Sequence, residues 1–304
     1  MSLFGYIQIS NAMFKLLSKT IAVVFAACAL LLIAAFTDAN NTQQFTLNEA
    51  IQAHTISANA TSNGKYSGRS VDLVLVNKTQ NTLQIKVPAG TLYEPKDDGE
   101  QTLIQMEDQL ITLAPGGTYK GQVGAFCTEA TQRCPTASNG FTISQTKNPK
   151  FDLMFAYLKD KKVSKGTYQD AVWAISDGHS VANIVTELPA DVAFRKEIAT
   201  ITGQRDTWFT SPQNVRIDDQ GNFNHETVKI SGHLSFTCPA GTKVRQDIHR
   251  ANGEVFYASD KTMTAQASKV NYDFHLSVMG WEKGTYYIRI HDGTRELGKY
   301  EFTV

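Results

Sequence analysis

The sequence predicts a mainly β chain: an Ig-like β-sandwich carrying a small α-helical subdomain, followed by a second Ig-like β-sandwich. Three observations predict it. Short apolar–polar alternations recur at roughly 8–12-residue spacing with Gly and Pro between them, the pattern of antiparallel sandwiches. The period switches to that of a helix in one block beginning at Pro149. Alternation then returns over the C-terminal part, from residue 222 to 304.

Composition sets outer bounds. The chain has 304 residues with 29 basic and 29 acidic side chains, 42% hydrophobic and 19% charged. That is too apolar for a disordered chain, and a neutral balance argues against nucleic acid as a partner. The neutrality is local as well as global. Residues 44–148 carry 8 basic and 9 acidic groups, 149–203 carry 7 and 7, and 222–304 carry 10 and 9. No segment is an electrostatic funnel for an anionic partner.

Residues 1–39 read as an address. Lys15 and Lys19 precede an apolar run from Ile21 to Phe36, and Thr37-Asp38-Ala39 closes it. This is the pattern of an export signal, with Met13 a more typical start than Met1. The alternative is a retained anchor: the uncharged stretch at residues 20–37 is at the lower edge of what spans a bilayer.

Residues 40–148 form the first predicted sandwich. Thr46-Leu47-Asn48-Glu49 reads as a capping box opening a short helix. Strands follow at Val71–Val76, Leu83–Val87, Leu103–Met106, Leu110–Leu113 and Tyr119–Phe126, with Pro115-Gly116-Gly117 as a turn. In residues 149–210, Phe151, Met154, Phe155 and Leu158 share one helix face. A second helix runs from near Thr167 to Gly178, and a third follows Pro189, carries Val192, Ile198 and Ile201, and closes at Gly203. Residues 211–221, with Pro212 and Asp218-Asp219-Gln220-Gly221, read as a polar linker. Residues 222–304 form the second sandwich, with a hairpin at Asn252-Gly253 and a turn at Asp292-Gly293.

Beyond the address, cysteine occurs only at Cys127, Cys134 and Cys238. Cys127 and Cys134 lie close together in a polar loop, so a disulfide between them is the default expectation for an exported chain. No C-x-x-C unit is present and no thiolate zinc site is expected. His225, His233, His249, His275 and His291 all fall in the last module, at spacings that match no metal-ligand motif. The expectation is no metal and no cofactor. Asp97-Asp98 and Asp218-Asp219 fall in predicted turns, where Asp stabilises the turn itself.

Two blocks stand out: Phe126-Cys127-Thr128, and Tyr168-Gln169-Asp170-Ala171-Val172-Trp173 on the second predicted helix. Together they resemble bacterial surface thioester domains, which pair an aromatic-Cys dipeptide with a later Gln-x-Ala-apolar-Trp motif. The resemblance implies an internal thioester between Cys127 and Gln169 that captures nucleophiles. Tyr168 stands where the family usually has Thr. The same helix also fits ordinary packing, with Ala171, Val172 and Ile175 facing a core and Trp173 as a structural aromatic. Lys283-Gly284-Thr285-Tyr286-Tyr287-Ile288-Arg289 resembles the terminal Ig-like modules of exported Bacteroidetes proteins, some of which are type IX secretion sorting signals.

The functional expectation is an exported, non-catalytic cell-envelope or secreted protein acting in adhesion, ligand binding or assembly. Its partner would be a surface protein or glycan, with membrane contact only through an uncleaved N-terminal segment. The alternatives are covalent attachment through Cys127 and Gln169, and a secreted hydrolase.

Overall fold

The computed structural model describes residues 42–304 apart from Asp98; the expected export signal at 1–39 and its anchor alternative lie outside the described residues. The described chain is mainly β, and none of its helices is long and apolar enough to cross a membrane.

Where a β-sandwich is expected for residues 40–148, the first β-rich unit is built on a closed ring of strands. Six of its strands close into a barrel, in the order β2 (Ile56–Ser62), β3 (Arg69–Asn77), β8 (Thr118–Cys127), β6 (Leu103–Gln105), β5 (Thr91–Pro95) and β9 (Gly140–Gln145). Closure is made by β9, which pairs with β5 over five residues and with β2 at Ala60↔Phe141 and Thr61↔Gly140. A small second sheet, β1 (Gln43–Thr46), β4 (Leu83–Val87) and β7 (Gln109–Leu113), lies beside it. Helix α1 (Leu47–Gln52) follows β1 and opens on the expected capping box: Glu49 N donates to Thr46 Oγ1, and Thr46 N donates to the Glu49 carboxylate at 2.8 Å. Alternation along β3 sends Val71, Leu73 and Leu75 into the core, and β8 adds Val123, Ala125 and Cys127.

Helices α2 (Pro149–Leu158), α3 (Tyr168–Ser176) and α4 (Pro189–Thr202) follow, with a 3-10 turn at Lys165–Thr167 before α3 and another at Val181–Asn183. Gly203 ends α4 with φ 76°, the left-handed conformation that glycine adopts without penalty. Helix α3 is buried nearly all round, as a helix between two packed layers must be. Trp173 enters the barrel core, while Tyr168, Ala171, Val172 and Ile175 join the helical cluster with Phe151, Met154, Phe194 and Ile198. That cluster reaches the barrel through Ile104, Met106 and Phe126. Asp191 fixes the entry to α4. Its fully buried carboxylate accepts from Ser164 N and Oγ at 2.9 and 2.8 Å, from Glu187 N at 3.1 Å and from Leu188 N at 2.9 Å.

Residues 211–221 do not form the expected free connector. After the short strand β10 (Phe209–Thr210), β11 (Gln213–Ile217) and β12 (Phe223–Thr227) pair as an antiparallel hairpin whose turn spans Asp218–Asn222. Among the described strands this hairpin joins no other sheet. It folds back over the barrel, placing Val215 and Phe223 against the barrel core. The boundary at residue 222 therefore falls inside one structural unit.

The C-terminal part comprises two sheets around one core. One is β10, β13 (Lys229–Thr237) and β17 (Lys269–Ser277); the other is β15 (Val255–Ala258), β14 (Lys243–Arg250), β18 (Thr285–His291) and β19 (Glu296–Thr303), with β16 (Met263–Thr264) on β14. Ile230, Leu234, Phe236, Ile288, Ile290 and Phe302 fill the space between them. Asn252-Gly253 makes the expected turn between β14 and β15, with Gly253 at φ 87°. Arg195 ties this part to the helices: its guanidinium meets Asp206 at 3.0 Å and donates to the Thr207 and Phe209 carbonyls.

Candidate functional site

The structure brings Cys127 and Gln169 together across 42 residues of chain. Cys127 is the last residue of β8, where its partner strand β3 slips: the register shifts between Arg69 and Val71. Past that point the 66–68 loop replaces β3. Ala125 N donates to Gly68 O at 2.8 Å and Cys127 N donates to Tyr66 O at 2.9 Å. The Gln169 carboxamide then completes the end of the strand. Its Oε1 accepts a second bond from Cys127 N at 3.2 Å, and its Nε2 donates to Cys127 O at 2.8 Å. A primary amide can pair with a backbone N–H and C=O at once because it carries one acceptor and two donors.

This two-point pairing holds the Gln169 side chain beside Cys127. A second tie lies one helix length away, where Ala130 N donates to the Asp177 carboxylate. Helix α3 is thereby fixed to the end of β8 at both of its own ends. Cys127 itself has no exposed surface, and its thiol is pushed well above the usual range, first by burial and then by the nearby Cys134 and Glu129. Burial penalises a thiolate but not an uncharged acyl-sulfur bond.

The expected Cys127–Cys134 disulfide is not formed: Cys127, Cys134 and Cys238 are all free thiols. Different neighbours hold the first two. Cys134 Sγ points to Gly64 O at 3.7 Å, and its backbone N–H donates to Gly221 O of the hairpin turn. Cys127 is held by Tyr66 O and Gln169 instead.

Aromatic rings roof the pair. Tyr66 stacks on Trp173 at 6.3 Å with planes 7° apart. Phe223 meets Tyr66 edge-on at 5.2 Å and Trp173 at 6.0 Å. His225 stands 5.0 Å from the Trp173 ring and His179 stands 5.7 Å from it. The His225 ring is fixed by Nδ1 to Gln213 Oε1 and Nε2 to Ala130 O, both at 3.2 Å. Burial lowers the proton affinity of both imidazoles, with the second histidine adding to the effect at His179. Trp173 Nε1 is buried without a hydrogen-bond partner, so the indole serves here as an apolar plate at some cost in desolvation.

Asp170 follows Gln169 on α3 with its carboxyl pushed up to about 7 by burial. The Tyr66 phenol is raised by burial and then by Asp170. On the other side of β8, Phe126 meets Tyr168 edge-on at 5.7 Å, and both rings line a groove of about 580 Å³ with Arg69, Glu107 and Lys165.

Sequence reasoning picked out Cys127, Gln169, Trp173 and Cys134; it missed Tyr66, Asp177, His179 and Phe223, and named His225 only among the C-terminal histidines. Asp177 and His179 follow α3 directly but match no motif, Tyr66 lies in a loop, and Phe223 and His225 lie on a hairpin split between the expected linker and the second sandwich. Among the described residues no group of three or more His, Cys, Asp or Glu side chains is disposed to hold a metal ion. Of the five C-terminal histidines, His225 packs against the first unit. His291 pairs with Asp247 at 2.8 Å and His233 is paired with Asp273.

No family model and no curated protein matches the chain. Among solved structures, a Se-Met labelled β-glucosidase from Kluyveromyces marxianus is similar over 77% of this chain and 44% of its own, with TM-score 0.19 and 10% identity. The chain thus spans less than half of that protein's length.

Proposed function

We propose that this is an exported surface or secreted protein that attaches covalently to a nucleophile-bearing partner, through an internal thioester between Cys127 and Gln169. The observation that carries the reading is the pairing of the Gln169 carboxamide with the Cys127 backbone, beside a fully buried free thiol. The resemblance of Phe126-Cys127 and Gln169-x-Ala171-Val172-Trp173 to thioester domains supports it independently. In this reading the three helices form a subdomain clamped on the barrel, and the C-terminal sheets form an Ig-like module that presents it. Adhesion to a surface protein or glycan is then made permanent by one bond.

The chemistry balances without a cofactor. Cys127 Sγ attacks Gln169 Cδ, the Sγ–Cδ bond forms and the Cδ–Nε2 bond breaks. The thiol proton leaves with the amide nitrogen as ammonia. In the capture step an incoming amine attacks Cδ, the Cδ–Sγ bond breaks, and the amine's proton returns to sulfur. Gln169 is left as a substituted amide on the partner. Two hydrogen bonds hold the reacting carbon beside the nucleophile's residue, which converts a bimolecular problem into a positioned one.

Intact-mass spectrometry of the purified chain tests this. A thioester lowers the mass by one ammonia, about 17 Da, and methylamine restores the mass with its own addition. Gln169→Ala removes both the deficit and the methylamine adduct. A wild-type chain with its full unmodified mass and a freely titrating Cys127 overturns the reading.

A further inference from the structure

We propose that the β11–β12 hairpin is a gate over the Cys127–Gln169 bond, and that Phe223 decides which nucleophiles pass. The inference rests on the thioester reading and adds the element that controls access to it.

Four observations point to the hairpin. It is an isolated two-stranded sheet among the described strands, so no ladder must break for it to swing. It is held by side chains and single backbone bonds rather than by a ladder. These are Cys134 N to Gly221 O at 2.9 Å, His225 Nε2 with Ala130 O at 3.2 Å, Gly280 N to Glu226 Oε1 at 3.2 Å, the ring contacts of His225 with Trp173 and His179, and the apolar contacts of Val215 and Phe223. Its one large apolar side chain on β12, Phe223, sits against both plates of the Tyr66–Trp173 stack. Those plates belong to the residues that hold the reacting pair: Tyr66 O accepts from Cys127 N, and Trp173 lies one turn beyond Gln169 on α3.

The hairpin also borders an open cleft. A cleft of about 590 Å³ separates its turn, Ile217–Gly221, from the loop carrying Cys134 and from Gly64. Gly64, on its rim, is two residues from Tyr66, whose carbonyl accepts from Cys127 N. With the hairpin closed, Cys127 has no exposed surface and the bond is shut off from solvent. Water held outside the aromatic roof cannot hydrolyse the bond, because a closed site excludes solvent from the acyl carbon. Nucleophiles reach the bond only when the hairpin is displaced, and the space opened beside Phe223 sets the size that passes.

The test uses the full chain and two independent hairpin variants, Phe223→Ala and His225→Ala, so that a folding defect in one does not decide the matter. Intact-mass time courses follow the loss of the thioester to water, to methylamine and to a lysine-containing peptide. The expected result is hydrolysis faster by about tenfold or more in both variants, with the peptide gaining more than methylamine. Thioester lifetimes equal to wild type in both variants overturn the gate.

A second arm separates the gate from the bond beneath it. In Gln169→Ala, which cannot form the thioester, iodoacetamide alkylation of Cys127 is mapped by peptide mass with and without Phe223→Ala. Faster labelling with Phe223→Ala supports the gate; equal labelling overturns it. A wild-type chain lacking the mass deficit removes the thioester reading, and the gate is then judged on this alkylation alone.

Discussion

Cys127 and Cys238 are both buried thiols, and their surroundings separate the two halves of the molecule. Cys238 lies at the end of β13, its backbone N–H donating to Ser268 O at 3.0 Å, among the aliphatic and aromatic side chains of the C-terminal core. Nothing about it departs from a sulfur used as a small hydrophobe. Cys127 ends β8 in a barrel core of the same apolar character, yet it is paired with a carboxamide and has a second thiol and the Glu129 carboxyl nearby. The polar pairs of the C-terminal part lie largely at the surface, as with Arg289–Glu296, Arg295–Asp292 and Arg250–Glu282. Such solvent-screened pairs contribute little to stability. The first unit has exposed pairs too, Lys86–Asp108 and Lys165–Glu107, but it also holds the buried polar atoms without a partner among the described residues: Asn63 Oδ1, Gln101 Oε1, Gln145 Oε1 and Trp173 Nε1. Of these, Trp173 Nε1 lies one helix turn from Gln169.

A pair of large-to-small substitutions sharpens that contrast and carries the largest expected effect. Trp173 and Phe302 are each almost wholly buried, one in the barrel core and one between the C-terminal sheets. Either change to Ala costs about 3–5 kcal/mol in its own core. Phe302→Ala should lower thermal stability while leaving the mass deficit and methylamine uptake intact in the protein that stays folded. Trp173→Ala should do both kinds of damage, because it removes the plate on which Tyr66 and Phe223 rest. Calorimetry read beside intact mass makes the distinction. Equal loss of amine uptake in the two variants would break the contrast between the halves.

The sequence revealed elements wherever one residue type answers a single local demand. Thr46 and Glu49 cap each other within four residues, Gly203 takes the left-handed conformation at the end of α4, and Asn252-Gly253 turns one strand into the next. The barrel was hidden because the two strands that close it carry weak patterns. β2 reads Ile-Ser-Ala-Asn-Ala-Thr-Ser and β9 reads Gly-Phe-Thr-Ile-Ser-Gln. Their small and polar side chains make no alternation strong enough to see, and the Ala60↔Phe141 contact that closes the ring spans the whole unit. The β11–β12 hairpin was hidden for a related reason. Its turn residues Asp218 and Gly221 do mark a turn, but Gln213, Asn214 and Arg216 read as linker, while Asn224 and Glu226 fall to the second sandwich across the expected boundary at 222. Only Val215 and Phe223 reach the barrel core. The Cys127–Gln169 pairing was legible through a two-block resemblance, whereas Tyr66 and Asp177 are selected by three-dimensional closure and leave no trace in spacing.

The half-buried Asp170 offers a second way to sharpen the comparison, through pH. Its carboxyl is raised from the ordinary value of 3.8 to about 7 by burial, so the folded chain holds a proton that the unfolded chain releases. Stability from this group is therefore full below about pH 3.8 and declines as pH rises toward 7, above which the cost of burying the charge is complete. Asp170→Asn removes that dependence. The variant should melt at a higher temperature than wild type at pH 8 and at a nearly equal temperature near pH 4. The C-terminal half should show no matching change. A variant that melts lower than wild type at pH 8 would mean that the charge at 170 is used rather than merely tolerated.

The smallest expected effect concerns the two imidazoles beside the hairpin. His179 and His225 face each other at 5.4 Å, with Trp173 beneath them, Asp177 favouring their protonation and Lys283 opposing it. Burial lowers both below the ordinary 6.5, so the unfolded or opened state binds protons more readily than the closed one. Their contribution is present above pH 6.5 and is lost as pH falls through the depressed folded values. Protonating both would also set two positive charges against each other. Hydrogen exchange over residues 213–227, compared at pH 7.5 and pH 5 after correction for the intrinsic exchange rate, should show local opening at the lower pH. Protection of the β13–β17 ladder should hold steady. His179→Gln, which leaves the His225 bond to Ala130 O in place, should flatten the response. Equal protection of the hairpin at both pH values would show that proton uptake by the histidine pair does not loosen the roof, and would leave Phe223 packing as what holds it down.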